Sequence, residues 1–279
     1  MKNNKYSRNY VSIPSTILVI LLLVWVMVPF YIMFFASFKP NFSILRLPPD
    51  LVPLKDFTLV NYKAVFERAD VFLWMKNSFI ISVSVALATA FIAVTAGYAF
   101  AKIKFPGKNV FFALVMATLM MPKQMLLIPN YLVAYNLHLQ DSFHGVILTT
   151  IAPAFGVFLS RQYITSLPST LFDAAEIDGC SELGKFFRVA LPLSLPAVGT
   201  ISIFAFFTSF NDYLWQLIML SNKKLMTMPV GLSFFGQTMH NNRAAQLALS
   251  SIGTIPLILI FIACQKFFIK GATVGAVKG

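Results

Sequence analysis

Six long apolar stretches, separated by short polar segments, set the rhythm of this chain. They lie at about residues 14–38, 77–101, 109–128, 142–160, 193–219 and 244–266. A helix needs about 20 apolar residues to cross roughly 30 Å of hydrocarbon, and there every backbone amide must find its partner inside the segment. The pattern therefore predicts an all-α integral membrane protein with six transmembrane helices. The first two stretches carry no charge; Pro122 and Lys123 cut the third, and the fifth holds one carboxylate, Asp212. No soluble domain of useful size remains between them, so residues 1–279 read as a single membrane domain.

Composition agrees. Of 279 residues 58% are hydrophobic and 29 are Phe, only 11% are charged, and the mean hydropathy of +0.75 excludes a water-soluble fold. The formal charge of +12, from 22 Lys and Arg against 10 Asp and Glu, would suit an anionic partner or the positive face of a membrane protein. Hydropathy selects the second, with lipid and not nucleic acid as the surroundings. Lys2, Lys5 and Arg8 precede span one, whose 25 uncharged residues are too many for a cleaved secretory signal. Short segments with Lys102, Lys104 and Lys108, with Arg161, Lys185 and Arg188, and with Lys266, Lys270 and Lys278 lie on the same predicted side. Both termini are thus expected in the cytoplasm, with a multi-pass chain between them. Pro106-Gly107 marks a tight cytoplasmic turn, and Pro48, Pro49 and Pro53 stiffen the outer loop after span one. Cys180 and Cys264 lie in segments of opposite character and read as free thiols.

The least greasy cytoplasmic segment, residues 169–192 between spans four and five, carries the strongest pattern. Ser169 or Thr170 can cap a first short helix, with Asp173 favourably near its positive end, and Gly179 allows a turn at the helix's end. Ser181 can cap a second helix that runs to Leu191-Pro192. The predicted result is a compact knob projecting from the membrane. The order is Asp173-Ala174-Ala175, three residues, Gly179, nine residues, Val189, one residue, Leu191-Pro192. It resembles the Glu-Ala-Ala…Gly…Ile-x-Leu-Pro cytoplasmic motif of permeases in binding-protein-dependent ABC importers, with Asp for Glu and Val for Ile. Ile177-Asp178-Gly179-Cys180-Ser181, Leu191-Pro192-Leu193 and the closing Gly271–Gly279 resemble the carbohydrate permeases of that family. The likeness is greatest to the six-span subunit of the maltose permease pair and covers essentially the whole chain.

The resemblance implies a coupling helix that docks in a groove of a separate ATP-binding subunit. Ala174 and Ala175 would allow close contact, and the acidic set Asp173, Glu176, Asp178 and Glu182 would meet basic groups on that partner. It also implies a second homologous permease forming a heterodimer, two ATP-binding subunits, an extracytoplasmic solute-binding protein and a bacterial cell membrane. On this reading the chain is no enzyme and holds no cofactor, with ATP and magnesium on the partner. Gly179–Lys185 matches a phosphate-binding loop for seven positions, yet the eighth is Phe186, with no hydroxyl for magnesium and no strand before it.

Ionisable groups inside a membrane are functional candidates by default, and Asp212 lies about 24 Å along a helix from Pro196. With Gln124, Asn211, Trp215 and Gln216 it forms the set of side chains that could face a sugar in the pathway; Asp212 could equally cap a helix or pair with Lys223 or Lys224. Pro122, Lys123, Gln124 and Pro129 either break span three beside a cavity or mark where it ends and an interfacial helix begins. The outer loop 221–243 could touch a solute-binding protein. His138, His144 and His240 are scattered without metal-ligand spacing, no nucleophile stands at a recognisable distance from a base, and Asn41-Phe-Ser43 is a chance triplet. Three functions remain: an ATP-driven importer of a sugar or oligosaccharide, an importer of the glycerol-phosphate type with Lys123 as the anion's partner, and an ion-coupled transporter using Asp212. The last would commonly show paired halves with related broken helices, which this chain lacks.

Overall fold

The computed structural model describes residues 13–44, 56–151 and 154–273, with backbone alone from 266 onward. Lys2, Lys5, Arg8, Pro48, Pro49, Pro53 and the tail 274–279 lie outside the described residues. The described chain is almost wholly helical and contains no strand. In order it forms α1 (Ile13–Ser37), α2 (Asn41–Ile44), α3 (Val60–Arg68), α4 (Val71–Lys102) and α5 (Lys108–Thr118). A 3-10 turn, Lys123–Leu126, leads into α6 (Leu127–Asn136), followed by α7 (Phe143–Thr150), α8 (Ala154–Thr165) and α9 (Ser169–Ile177). Then come α10 (Glu182–Lys185), a π-helical turn Phe186–Ala190, α11 (Leu191–Leu193), α12 (Leu195–Phe210) and α13 (Leu214–Met219). A second 3-10 turn, Lys223–Leu225, precedes α14 (Met228–Thr238) and α15 (Arg243–Thr273).

Among the described residues three helices are long and apolar enough to cross a membrane unaided: Ile13–Ser37, Val71–Lys102 and Arg243–Gln265. Three more candidates are bent pairs, which bring the number to six if each pair is one span. Lys108–Thr118 and Lys123–Asn136 meet at 94°, Phe143–Thr150 and Ala154–Thr165 at 49°, and Glu182–Leu193 and Leu195–Phe210 at 75°. Several expected boundaries change. Helix α4 begins at Val71, six residues ahead of the predicted span, because Phe72, Leu73 and Trp74 continue its apolar text. The predicted span 193–219 is no single helix. Pro196 sits in the first turn of α12, where its missing N–H costs nothing, and the helix stops at Phe210. Asn211 and Asp212 follow, residues whose side chains compete with the helical backbone bonds.

Contacts gather the chain into two compact units, one from Met1–Ala69 and Phe235–Ile252, the other from Asp70–Phe234 and Gly253–Gly279. In the first, two buried or half-buried asparagines fix the loops. The Asn61 amide donates to the carbonyls of Ser37 and Lys39, both at 2.8 Å. Asn41 donates to the Asn241 carbonyl at 2.6 Å and accepts from the Ala244 amide at 3.3 Å. Helix α1 leaves all of residues 13–32 exposed, an apolar surface that only lipid or another apolar chain can cover.

The second unit is built on α4, against which α8 and α12 pack. Small residues let the backbones come close, as helices in lipid require. A Cβ added at Gly97 would stand 2.4 Å from the Ser160 Cβ and 2.9 Å from the Arg161 nitrogen. Around this contact Ala90, Ala93, Val94 and Tyr98 of α4 join Val157, Ile164, Phe172, Phe186, Ala190 and Ile201 in one core. Ile81, Val85, Ala134, Val146, Met219 and Leu220 form another.

Candidate functional site

The knob forms as a helix, a glycine bend and a second helix. Its first helix lacks the expected cap: Ser169 is already helical, and Pro168, which offers no side-chain acceptor, precedes it. Its end is well satisfied. Gly179 takes φ +76°, its amide bonds to the Glu176 carbonyl at 2.9 Å, and the next amide, of Cys180, reaches back to Ala175 at 2.9 Å. These are the two bonds of a Schellman ending, which places a residue in the left-handed region and so favours glycine. Ser181 does cap the second helix, its hydroxyl accepting from the Gly184 amide at 3.2 Å. That helix then loosens into the π turn, passes Leu191 and Pro192, and bends at Ser194.

The acidic set divides. The Asp173 and Asp178 carboxylates are exposed and make no hydrogen bond or ion pair among the described residues, Ala174 is exposed beside them, and Ala175 is buried against the core. Glu176 and Glu182 also converge on Lys185, at 2.7 and 2.9 Å. A buried ammonium needs such partners, because desolvation without them is prohibitive. Lys185 has only 9% of its side chain exposed, while the two carboxylates remain largely in water. The bonds to Glu176 and then Glu182 hold the Lys185 ammonium protonated well above its usual range. Those from Lys185 and then Tyr98 hold Glu182 below the carboxylate range.

Sequence reasoning missed both Lys185 and Tyr98. The three-residue spacing of Glu182 and Lys185 was a legible sign of the ion pair. Nothing local announced Tyr98, which lies on α4, more than 80 positions away, and donates to the other Glu182 oxygen at 3.0 Å. Its ring packs between Phe186 and Phe172, with centroids 5.4 and 6.3 Å away. One turn on, Lys102 donates to the Leu167 carbonyl at 3.2 Å and lies 4.4 Å above the Phe172 ring.

The five pathway candidates do not form one polar wall. Gln216 is buried and wholly committed, its amide donating to the Ser209 carbonyl at 2.7 Å and its oxygen accepting from Thr227. Trp215 ties α13 to α7 through its indole N–H and the Thr149 hydroxyl at 2.8 Å. Asn211 donates to Phe207 at 2.9 Å in its own helix. Asp212 falls at the break between α12 and α13, half-buried, and accepts from the Trp215 amide at 3.3 Å, a helix-starting bond. No ion pair links it to Lys223 or Lys224; Lys123 lies in the turn after the break in span three. Gln124 beside that lysine is exposed. Lys123 and Gln124 thus stand exposed after the break in span three, while Asn211 and Asp212 hold local bonds at the break between α12 and α13.

Comparison with known proteins follows this geometry. The family described as binding-protein-dependent transport system inner membrane component matches residues 91–273, which include the knob and both breaks. The arabinooligosaccharides transport system permease protein AraQ of Bacillus subtilis is 37% identical over 253 residues, 90% of each chain. The sn-glycerol-3-phosphate transport system permease protein UgpE of Pectobacterium atrosepticum is 29% identical over 277 residues, 95% of this chain and 97% of that one. The fold matches a chain of a bacterial ABC transporter involved in the import of the acidic polysaccharide alginate. That match has a TM-score of 0.80 at 22% identity and covers 96% of this chain and all of the other.

Proposed function

Because this chain belongs to the family of binding-protein-dependent transport system inner membrane components, we propose that it is the permease subunit of an ATP-driven importer of a sugar or oligosaccharide. It forms half of the translocation pathway beside a second, homologous permease. Two ATP-binding subunits dock below it and a solute-binding protein delivers cargo from outside. The observation that carries this reading is the knob. Asp173, Ala174, Asp178 and Gly179 present an exposed face, while Ala175, Phe172 and Lys185 anchor it inward. A surface held so firmly and left so bare suits docking and the transfer of motion.

A sugar is favoured over a phosphate ester by one feature. The pathway candidates Gln124, Asn211, Asp212, Trp215 and Gln216 include one carboxylate and no cation, and the cation beside Gln124 is the single Lys123. An anion would be better served by several cations or an arginine fork. The termini are assigned to the cytoplasm, the knob's side.

Purification of the chain from its native membrane in mild detergent tests this reading, with mass spectrometry and an ATPase assay on the eluate. Co-purifying ATP-binding subunits and a second permease are expected, and the accompanying binding protein should bind sugars in preference to phosphate esters. A lone polypeptide that transports without ATP would overturn it.

A further inference from the structure

We propose that Tyr98 is a positioning residue that couples the knob to helix α4, its phenol holding Glu182 so that a displacement of the knob is carried into the helix on which α8 and α12 pack. This rests on reading the knob as the docking site of an ATP-binding subunit. Such a displacement has two routes into the spans. One follows the chain through the π turn and the 75° bend at Ser194 into α12. That junction is compliant: a π turn lacks the regular helical ladder, and the Ser194 hydroxyl is buried without a partner. The other crosses directly to α4 and is stiff. Tyr98 is 4% exposed, its ring is held between Phe172 of the first knob helix and Phe186 behind the second, and its hydroxyl meets Glu182 at 3.0 Å.

The link reaches both knob helices. The other Glu182 oxygen holds Lys185 at 2.9 Å, and Lys185 holds Glu176 of α9 at 2.7 Å. One phenol on α4 therefore reads the position of both helices through a single charge-assisted chain, which is stronger and more directional than ring packing alone. Lys102 provides a separate contact, over Phe172 and to the Leu167 carbonyl, that does not involve Glu182. Removal of the Tyr98 hydroxyl thus leaves the knob attached and breaks only the directional link.

The test uses the complete complex with its ATP-binding subunits, in liposomes, without cargo. Spin labels are placed on exposed positions of α4 and of the second knob helix by Thr95→Cys and Leu183→Cys, with Cys180 and Cys264 changed to Ser. Their separation is measured without nucleotide and after trapping with ATP and vanadate. With Tyr98 present the separation is expected to stay the same in both states, because α4 and the knob move as one. With Tyr98→Phe it should change by several ångströms on trapping while the ATP-binding subunits still co-purify. Glu182→Ala should reproduce that change and add nothing to Tyr98→Phe, whereas Glu182→Gln, which keeps an acceptor, should largely preserve the fixed separation. A fixed separation in Tyr98→Phe overturns this inference alone, as does a separation that already shifts with Tyr98 in place. A complex with native Tyr98 that holds no ATP-binding subunit defeats the docking reading and this inference with it.

Discussion

Gly97 of α4 and Ser160 of α8 meet so closely that a Cβ on the glycine would stand 2.4 Å from that of the serine. No real pair of carbons sits there, so the contact exists only because position 97 has no side chain. Gly97→Ala is expected to cost about 1–3 kcal/mol, the usual range for forced overpacking, read as a lower melting temperature in detergent. The Ser160 hydroxyl is buried without a partner, so Ser160→Gly removes bulk without losing a hydrogen bond. It should recover part of the loss in the double variant. A Gly97→Ala protein that melts with the unaltered one would show that the helices are not pressed together.

Gly179 is the opposite case, with φ +76° and nothing within 4 Å of an added Cβ. Any effect of substitution there comes from backbone conformation, about 1–2 kcal/mol for a side chain held in the left-handed region. Gly179→Val should leave the protein inserted but reduce recovery of ATP-binding subunits in a pull-down. Gly179→Asn, which tolerates that region, should retain most of it. Equal recovery from the valine and asparagine variants would remove the bend from the docking surface.

Gln216 was expected in the sugar pathway, and the structure makes it a brace. Gln216→Leu leaves the buried Thr227 hydroxyl unpaired and takes the Gln216 amide from the Ser209 carbonyl, which keeps the Asp212 amide, a loss of about 1–3 kcal/mol. Melting temperature should fall while cargo selectivity is unchanged. A selectivity change with normal stability would return Gln216 to the pathway.

Asp212→Asn separates ATP-driven import from ion coupling. An asparagine oxygen can still accept from the Trp215 amide, so the start of α13 is kept and only the charge is lost. Uptake by the reconstituted complex should persist and stay indifferent to a protonophore while ATP is supplied. Abolished uptake together with protonophore sensitivity in the unaltered protein would restore the ion-coupled alternative.

The knob's ionic cluster has a calculable pH window. Glu182 is held below its ordinary 4.5, so its contribution is full above that pH and fades as acid carries the solution through the lowered value. Lys185 is held above its ordinary 10.5, so its contribution is full below that pH and fades only in stronger alkali. The difference in melting temperature between the unaltered chain and Glu182→Gln should therefore be constant from about pH 6 to 9 and shrink in acid. A difference that varies across neutrality would mean that another group titrates in the cluster.

Much of this was legible along the chain. Apolar length alone announced helices at about 14–38, 77–101 and 244–266, where the structure has Ile13–Ser37, Val71–Lys102 and Arg243–Gln265, since nothing but a helix or closed barrel satisfies backbone groups in hydrocarbon. Gly179 and Ser181 announced the bend and the second cap, because those needs are met within three or four residues. Where local chemistry was silent the reading slipped. Ser169 resembled a cap, yet Pro168 already set the entry to the helix. Gln216 and Trp215 resembled ligands, yet their polar atoms are spent on Ser209, Thr227 and Thr149.

The amino-acid sequence by itself determined that the chain is helical and apolar, where it breaks, and that a small two-helix knob stands between its fourth and fifth apolar stretches. Those properties depend on hydrophobic length, turn residues and caps, all of them local. Tertiary structure alone decided which polar groups are free. Glu182 and Lys185 are close in the chain, but Tyr98 reaches them only because α4 passes beside the knob, and Trp215 is tied to Thr149 only because α13 meets α7. A side chain's hydrogen-bonding capacity is fixed by its chemistry, whereas what uses that capacity is fixed by the packing of distant segments.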